Sequence, residues 1–98
     1  MFAAIRQYEI GAGSIRDVMN AVEKEFADTM AGQPGFVAYH VVASGSDEIV
    51  SVSIFHDESS AIRSNDLAAE FVRDHLGDFD VNLTAGMSGE VMVTRPGA

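Results

Sequence analysis

Between Gly35 and His56 the chain reads GFVAYHVVASGSDEIVSVSIFH, two apolar arms joined by a short polar turn. The first arm, Phe36 to Ala43, is apolar everywhere except His40, and the second, Ile49 to Phe55, is broken only by Ser51 and Ser53. A strand buried on one face alternates apolar with polar residues, whereas one covered on both faces reads as a nearly continuous apolar run. A chain of 98 residues has room for two covering helices at most, enough for one face of such a sheet. The other face is then expected to meet a second copy of the chain or a bound apolar molecule.

Strand periodicity sorts the two arms into faces. With Gly45-Ser46 as a two-residue turn, His40 stands opposite Ser51, Phe36 opposite Phe55 and Tyr39 opposite Val52. Val37, Tyr39, Val41, Val50, Val52 and Ile54 then form a uniformly apolar face, expected beneath the helices. Phe36, Ala38, His40, Val42, Ile49, Ser51, Ser53 and Phe55 form a mixed face, expected to line a cavity or a partner.

The rest of the chain supplies the helices. Phe2 to Ile10 reads as a first strand with Phe2, Ala4, Arg6, Tyr8 and Ile10 on one face, closed by Gly11 and Gly13. Ser14 is placed to cap a helix whose stripe is Ile15, Val18, Met19, Val22, Phe26 and Met30. Gly32-Gln33-Pro34-Gly35 ends it. Asp57 or Ser59 caps a second helix running to about Leu76, with Ala61, Ile62, Ala68, Phe71, Val72 and Leu76 as its buried stripe. Phe79 to Ala85 fits either an extended linker or a short helix, and Met87 to Thr94 reads as the last strand. The order β-α-β-β-α-β is the α+β, ferredoxin-like arrangement. It predicts one domain spanning residues 1–98, a four-stranded antiparallel sheet with two helices on one face, and a bare face opposite.

Composition narrows the function. The formal net charge is −9, with only six Lys and Arg, so the clustered cations that nucleic acid and anionic membranes require are missing. There are no cysteines, which removes disulfides, thiolate catalysis and zinc–thiolate sites. MFAAIRQYEI has no basic-then-apolar signal pattern, and no apolar run approaches the roughly 20 residues of a membrane span. The expectation is a cytoplasmic protein with neither nucleic acid nor membrane as partner.

With its GFVAYHVV second strand, SVSIF third strand and second-helix phrase SNDLAAEFVRDHL, the chain resembles the dimeric α/β-barrel superfamily. Within it, the antibiotic-biosynthesis monooxygenase-like proteins are most similar. The resemblance spans Phe2 to Thr94. It implies a homodimer whose sheets close a barrel, and places the chain among cofactor-free monooxygenases, haem-degrading enzymes, muconolactone isomerases and proteins without assigned activity. The best-known oxygenases of that group use an Asn on the first strand and a Trp near the third. Here Arg6, Gln7 and Tyr8 occupy the first-strand centre, and there is no Trp. Of the haem-degrading pattern only His75, near the end of the second helix, has a counterpart.

His40 is the leading candidate for chemistry, a general base at near-neutral pH within an otherwise apolar arm. A structural histidine bonded to Ser51, or across a dimer, explains it as simply. Arg6 and Tyr8 share a strand face suited to an anionic or phenolic group, or Arg6 pairs with a carboxylate at the dimer rim. Ser51, Ser53 and Phe55 lie on the expected cavity face, and Asn65 and His75 are second-helix candidates for substrate contact. His75 equally suits a helix C-terminus. The widely spaced histidines make no metal motif. These readings converge on a homodimer that binds an apolar or aromatic small molecule with no cofactor and no metal, either as a cofactor-free monooxygenase or as a non-catalytic binding or dimerisation module.

Overall fold

The computed structural model describes residues 1–97. Its elements follow the order β1 (Phe2–Ile10), α1 (Ile15–Glu25), α2 (Ala27–Ala31), β2 (Phe36–Ala43), β3 (Glu48–Phe55), α3 (Glu58–His75), a 3-10 turn at Gly77–Phe79, and β4 (Val81–Glu90). The strands form one antiparallel sheet in the order β2-β3-β1-β4, so the first strand lies inside the sheet and the last forms an edge.

Both long helices start where their caps stand. The Ser14 hydroxyl accepts the Asp17 N–H at 3.2 Å, and the Asp57 carboxylate accepts the Ser60 N–H at 3.0 Å and the Ser59 hydroxyl at 2.6 Å. Each satisfies one of the donors that a helix N-terminus leaves open. The first helix is interrupted at Phe26, which breaks helical geometry (φ −120°, ψ −37°), and resumes as α2 with Met30 fully buried. Gly35 adopts φ +76°, and a Cβ there would stand 2.6 Å from Asp57 Oδ1. Glycine therefore lets β2 begin tight against the cap of α3.

The core lies between helices and sheet. The Phe26 ring stacks on Phe71 at 4.7 Å and meets Tyr39 edge-on at 5.9 Å, with Val18, Val22, Met30, Ile49 and Leu76 buried around them. On α3 the buried stripe is Ala61, Ser64, Ala68 and Phe71. Ile62, expected inside, is half exposed, because the stripe steps from Ala61 to Ser64 at helical spacing.

The hairpin departs from expectation by one residue. The Ser44 N–H bonds the Glu48 carbonyl at 2.9 Å, which makes Gly45-Ser46-Asp47 a three-residue loop. His40 accordingly stands opposite Val52, Val41 opposite Ser51, and Tyr39 opposite Ser53. A slip of one residue exchanges the faces of one arm relative to the other. Ile49, Ser51, Ser53 and Phe55 all point under the helices and are buried, with Tyr39 and Val41 beside them. Val50, Val52 and Ile54 lie on the helix-free side with Ala38, His40 and Val42. Phe36 still faces Phe55, ring centroids 5.9 Å apart, because a bulge between Phe36 and Ala38 absorbs the shift.

The last strand also begins earlier than expected. β4 pairs with β1 from Ile10–Val81 to Phe2–Glu90, with an irregularity at Gln7/Tyr8. The pairing ends where β1 runs out of residues, and Val91 makes a final bond to the Met1 carbonyl at 2.8 Å. Met92 and Val93 consequently lie outside the strand and are exposed. Among the described residues no helix is long and apolar enough to cross a membrane.

Candidate functional site

Arg6 occupies the centre of β1, on the face that the helices cover, and is only 4% exposed. Its nearest neighbours are set by register. Ser51 stands directly opposite on β3, Ser53 lies one pleat along, and α3 crosses above with Ser64 and Asn65. Arg6 Nε donates to Ser51 Oγ at 3.1 Å and Nη2 to Ser53 Oγ at 2.7 Å. Nη1 donates to Ser64 Oγ at 3.3 Å and to Asn65 Oδ1 at 2.9 Å. Ser64 in turn donates to the Ala61 carbonyl at 2.6 Å, which fixes its rotamer.

The four acceptors on Arg6 are all neutral. Among the described residues the ion pairs are Arg73–Asp74 and His75–Glu25, so no carboxylate lies within 4 Å of Arg6. A buried charge without a counter-ion is held at a substantial desolvation penalty, here in a protein of net charge −9. The guanidinium has five N–H donors and makes four hydrogen bonds to side chains.

Beside this cluster the sheet is uncovered. The helices shelter β3 and β1 but leave β4 largely exposed, and a cleft of about 510 Å³ opens between α3 and β4. Arg6, Tyr8, Asn65, Arg73 and Ser88 provide its polar wall, and Val72, Leu83 and Met87 much of its apolar one. Tyr8 is two residues from Arg6 on the same face. Burial lifts its hydroxyl above the usual phenol pKa, while the neighbouring guanidinium works in the opposite direction. Tyr39 is pushed up to about 12 by burial, again against the pull of Arg6. Both phenols are therefore neutral near pH 7. Among the described residues, the groups lining the cleft include no carboxylate and no imidazole.

The structure thus brings Arg6, Tyr8, Ser51, Ser53 and Asn65 together and separates the rest. His40 projects from the helix-free side of β2, exposed and opposite Val52, with the whole sheet between it and Arg6. Its expected pairing with Ser51 fails because of the three-residue turn. Phe55 is fully buried against Phe36, in the core. His75 stacks on Phe71 at 5.2 Å, with Nδ1 3.6 Å from Glu25 Oε2, and lines a separate shallow groove between α1 and α3. Ser64 was not singled out from the sequence. Its position at helical spacing between Ala61 and Ala68, on a stripe of unusually small residues, is the available signal. Small side chains there leave room for the guanidinium beneath.

A four-stranded antiparallel sheet of this order with its helices on one face defines a ferredoxin-like α+β fold. Residues 1–74 match the profile of the antibiotic biosynthesis monooxygenase family, and the chain belongs to that family. No protein of curated function matches the chain significantly. Among solved structures it is similar to a protein of Chloroflexus aurantiacus J-10-fl assigned to the antibiotic biosynthesis monooxygenases, at 18% identity and TM-score 0.68, over 97% of this chain and 96% of that one. It is also similar to SnoaB, a cofactor-independent oxygenase from Streptomyces nogalater, at 16% identity and TM-score 0.65, over 98% and 97% of the two chains. A third is a nipsnap family protein of unknown function from Agrobacterium tumefaciens, at 23% identity and TM-score 0.56, over 91% and 84%. At these identities the likeness is one of fold.

Proposed function

We propose that the cleft between α3 and β4 binds an aromatic small molecule through an ionised oxygen on Arg6, and that the protein oxygenates it without a cofactor. The observation that carries this reading is the buried guanidinium, uncompensated by any carboxylate and forming part of the cleft wall. An anion placed there gains a charge-assisted hydrogen bond in a partly desolvated site. Family membership and the likeness to a cofactor-independent oxygenase support the reaction class.

Without a cofactor, every electron must come from the substrate. A CH₂ group made acidic by a conjugated oxygen becomes C=O, one atom of O₂ entering the product and the other leaving as water. Arg6 favours the ionised substrate, and Val72, Leu83 and Met87 take its apolar body. A second reading, binding without turnover, draws on the cleft's lack of a carboxylate or imidazole to act as general base. The proposal also includes a homodimer built on the helix-free face, where Ile5, Val50, Val52 and Ile54 lie.

The test is a panel of polycyclic phenols whose keto tautomers carry the reacting CH₂ group, set against their methyl ethers, by titration calorimetry and oxygen electrode. Phenols are expected to bind and the ethers to bind far more weakly. Oxygen uptake with the bound phenols supports turnover, and binding without uptake supports the second reading. Equal affinity for phenols and ethers overturns the anion site.

A further inference from the structure

We infer that the apolar recess between α1, α3 and the sheet is the site where dioxygen waits beside the bound substrate. This rests on the oxygenase reading of the Arg6 cleft, and it concerns a different cavity. The recess measures about 30 Å³ and is lined by Val22, Phe26, Val41, Phe71 and Leu76 among others, with a wall that is almost wholly carbon. One water needs roughly 10–15 Å³ on such a measure, together with two to four polar partners. The recess has the room for a molecule of one or two heavy atoms and lacks the partners for water. A neutral apolar diatomic suits it.

Its position relative to the cleft is the stronger argument. Tyr8 and Val72 line both spaces, so one layer of side chain separates them. Ser51 lines the recess and also accepts the Arg6 Nε hydrogen bond. The cation that holds the substrate anion therefore sits beside the gas cavity as well. The influence of Arg6 on both Tyr8 and Tyr39, each a recess wall, agrees with that placement. One electron passing from a bound phenolate leaves a phenoxyl radical in the cleft and superoxide in the recess. The starting anion and the newly formed one then both lie close to the same guanidinium, so the charge moves without leaving the field of its counter-ion.

Dioxygen is paramagnetic, and the test uses the gas itself on the ligand-free protein. Methyl relaxation is recorded by NMR under nitrogen and then under dioxygen pressure. The methyls of Leu76, on the recess wall and 2% exposed, are expected to relax faster under dioxygen than those of Val18, which is likewise buried but outside the recess. Val41→Ile and, on another element, Val22→Leu each add a methylene to the cavity. Either is expected to abolish the excess relaxation at Leu76 while leaving phenol binding in the cleft unchanged. Relaxation no greater at the recess than at Val18 overturns the inference and identifies a packing imperfection. So does excess relaxation that survives both filling variants. Failure of phenol binding in the unaltered protein counts against the cleft reading and leaves the relaxation result standing on its own.

Discussion

Arg6 and Ser53 are joined across two strands by a 2.7 Å hydrogen bond, and Ser53 is fully buried while Arg6 is 4% exposed. A charge is thus fixed inside the protein by hydroxyls and an amide alone. Replacing a buried ionic group by an apolar one of similar volume is often neutral or stabilising, since the desolvation penalty disappears with the charge. Against that, the acceptors lose a charged donor, a contribution of about 1.5–3 kcal/mol for each bond to a charged group before compensation. Arg6→Met is therefore expected to unfold within about 2 kcal/mol of the parent in urea, with the preference for phenols over methyl ethers lost completely. Retained preference in a folded Arg6→Met protein would show that the anion is recognised elsewhere.

Ser64 offers a gentler probe of the same cluster. Its side chain is fully buried, accepts from Arg6 and donates to the Ala61 carbonyl. Ser64→Ala keeps the helix stripe small but leaves Arg6 Nη1 with Asn65 as its side-chain acceptor. The expected loss is about 1–3 kcal/mol by urea denaturation, with phenol affinity reduced rather than abolished. Ser64→Gly restores no acceptor and adds backbone freedom in a helix, so it should be less stable than Ser64→Ala. The reverse order would mean that space over Arg6 outweighs helix propensity, and a Ser64→Ala protein as stable as the parent would mean that the hydroxyl contributes nothing.

How much of this was legible in the sequence turns on a single turn residue. The order of strands and helices, the Ser14 and Asp57 caps, and the shared face of Arg6 and Tyr8 follow from local pattern, and the structure agrees with them. The hairpin faces do not, because strand parity within an arm says nothing about the neighbouring arm once loop length is off by one. The rule that the more apolar face lies inward then favoured the wrong pairing. It was overridden by Ser51 and Ser53, which are polar and buried because Arg6 needs acceptors there. That dependence is between residues 45 and 47 positions apart, and no local periodicity records it. His40 stood out for the opposite reason. An isolated polar residue in an apolar arm draws attention wherever it points, and here it points away from the cleft.

The chain contains two tyrosines and no tryptophan, so phenol ionisation can be followed directly by absorbance. Tyr39 is raised to about 12 and Tyr8 is raised as well, burial being the main cause for both. A folded-state pKa above the unfolded value of about 10 means that the folded protein holds its proton more tightly. The associated stability is fully present below pH 10 and is lost as pH rises through the folded-state value. Tyr39 alone accounts for about 3 kcal/mol of loss between roughly pH 10 and 12. Both phenols should therefore ionise late, and together with unfolding. Tyr39→Phe should leave one late-ionising phenol and a shallower alkaline decline. Two ordinary titrations near pH 10 in a still-folded protein would contradict the burial of both side chains.

Val52 stands between Ile5 and His40 on the helix-free face of the sheet, at the centre of the surface proposed to dimerise. A two-fold contact is made by the same patch on both subunits, so a substitution at its centre is met by its own copy. Val52→Asp would place two carboxylates near one another in an apolar setting, on chains that already carry a net charge of −9. Sedimentation at micromolar concentration is expected to give twice 10.5 kDa for the parent and 10.5 kDa for Val52→Asp. The folded subunit should survive, because Val52 faces away from the core. His40→Ala separates the two roles open to that histidine. An interface residue weakens the dimer on removal and leaves phenol binding to the monomer cleft intact, since the sheet lies between them. Loss of phenol binding with the dimer unchanged would instead carry chemistry to the helix-free face. A parent protein that sediments as a stable monomer would show that the face is not a dimer surface.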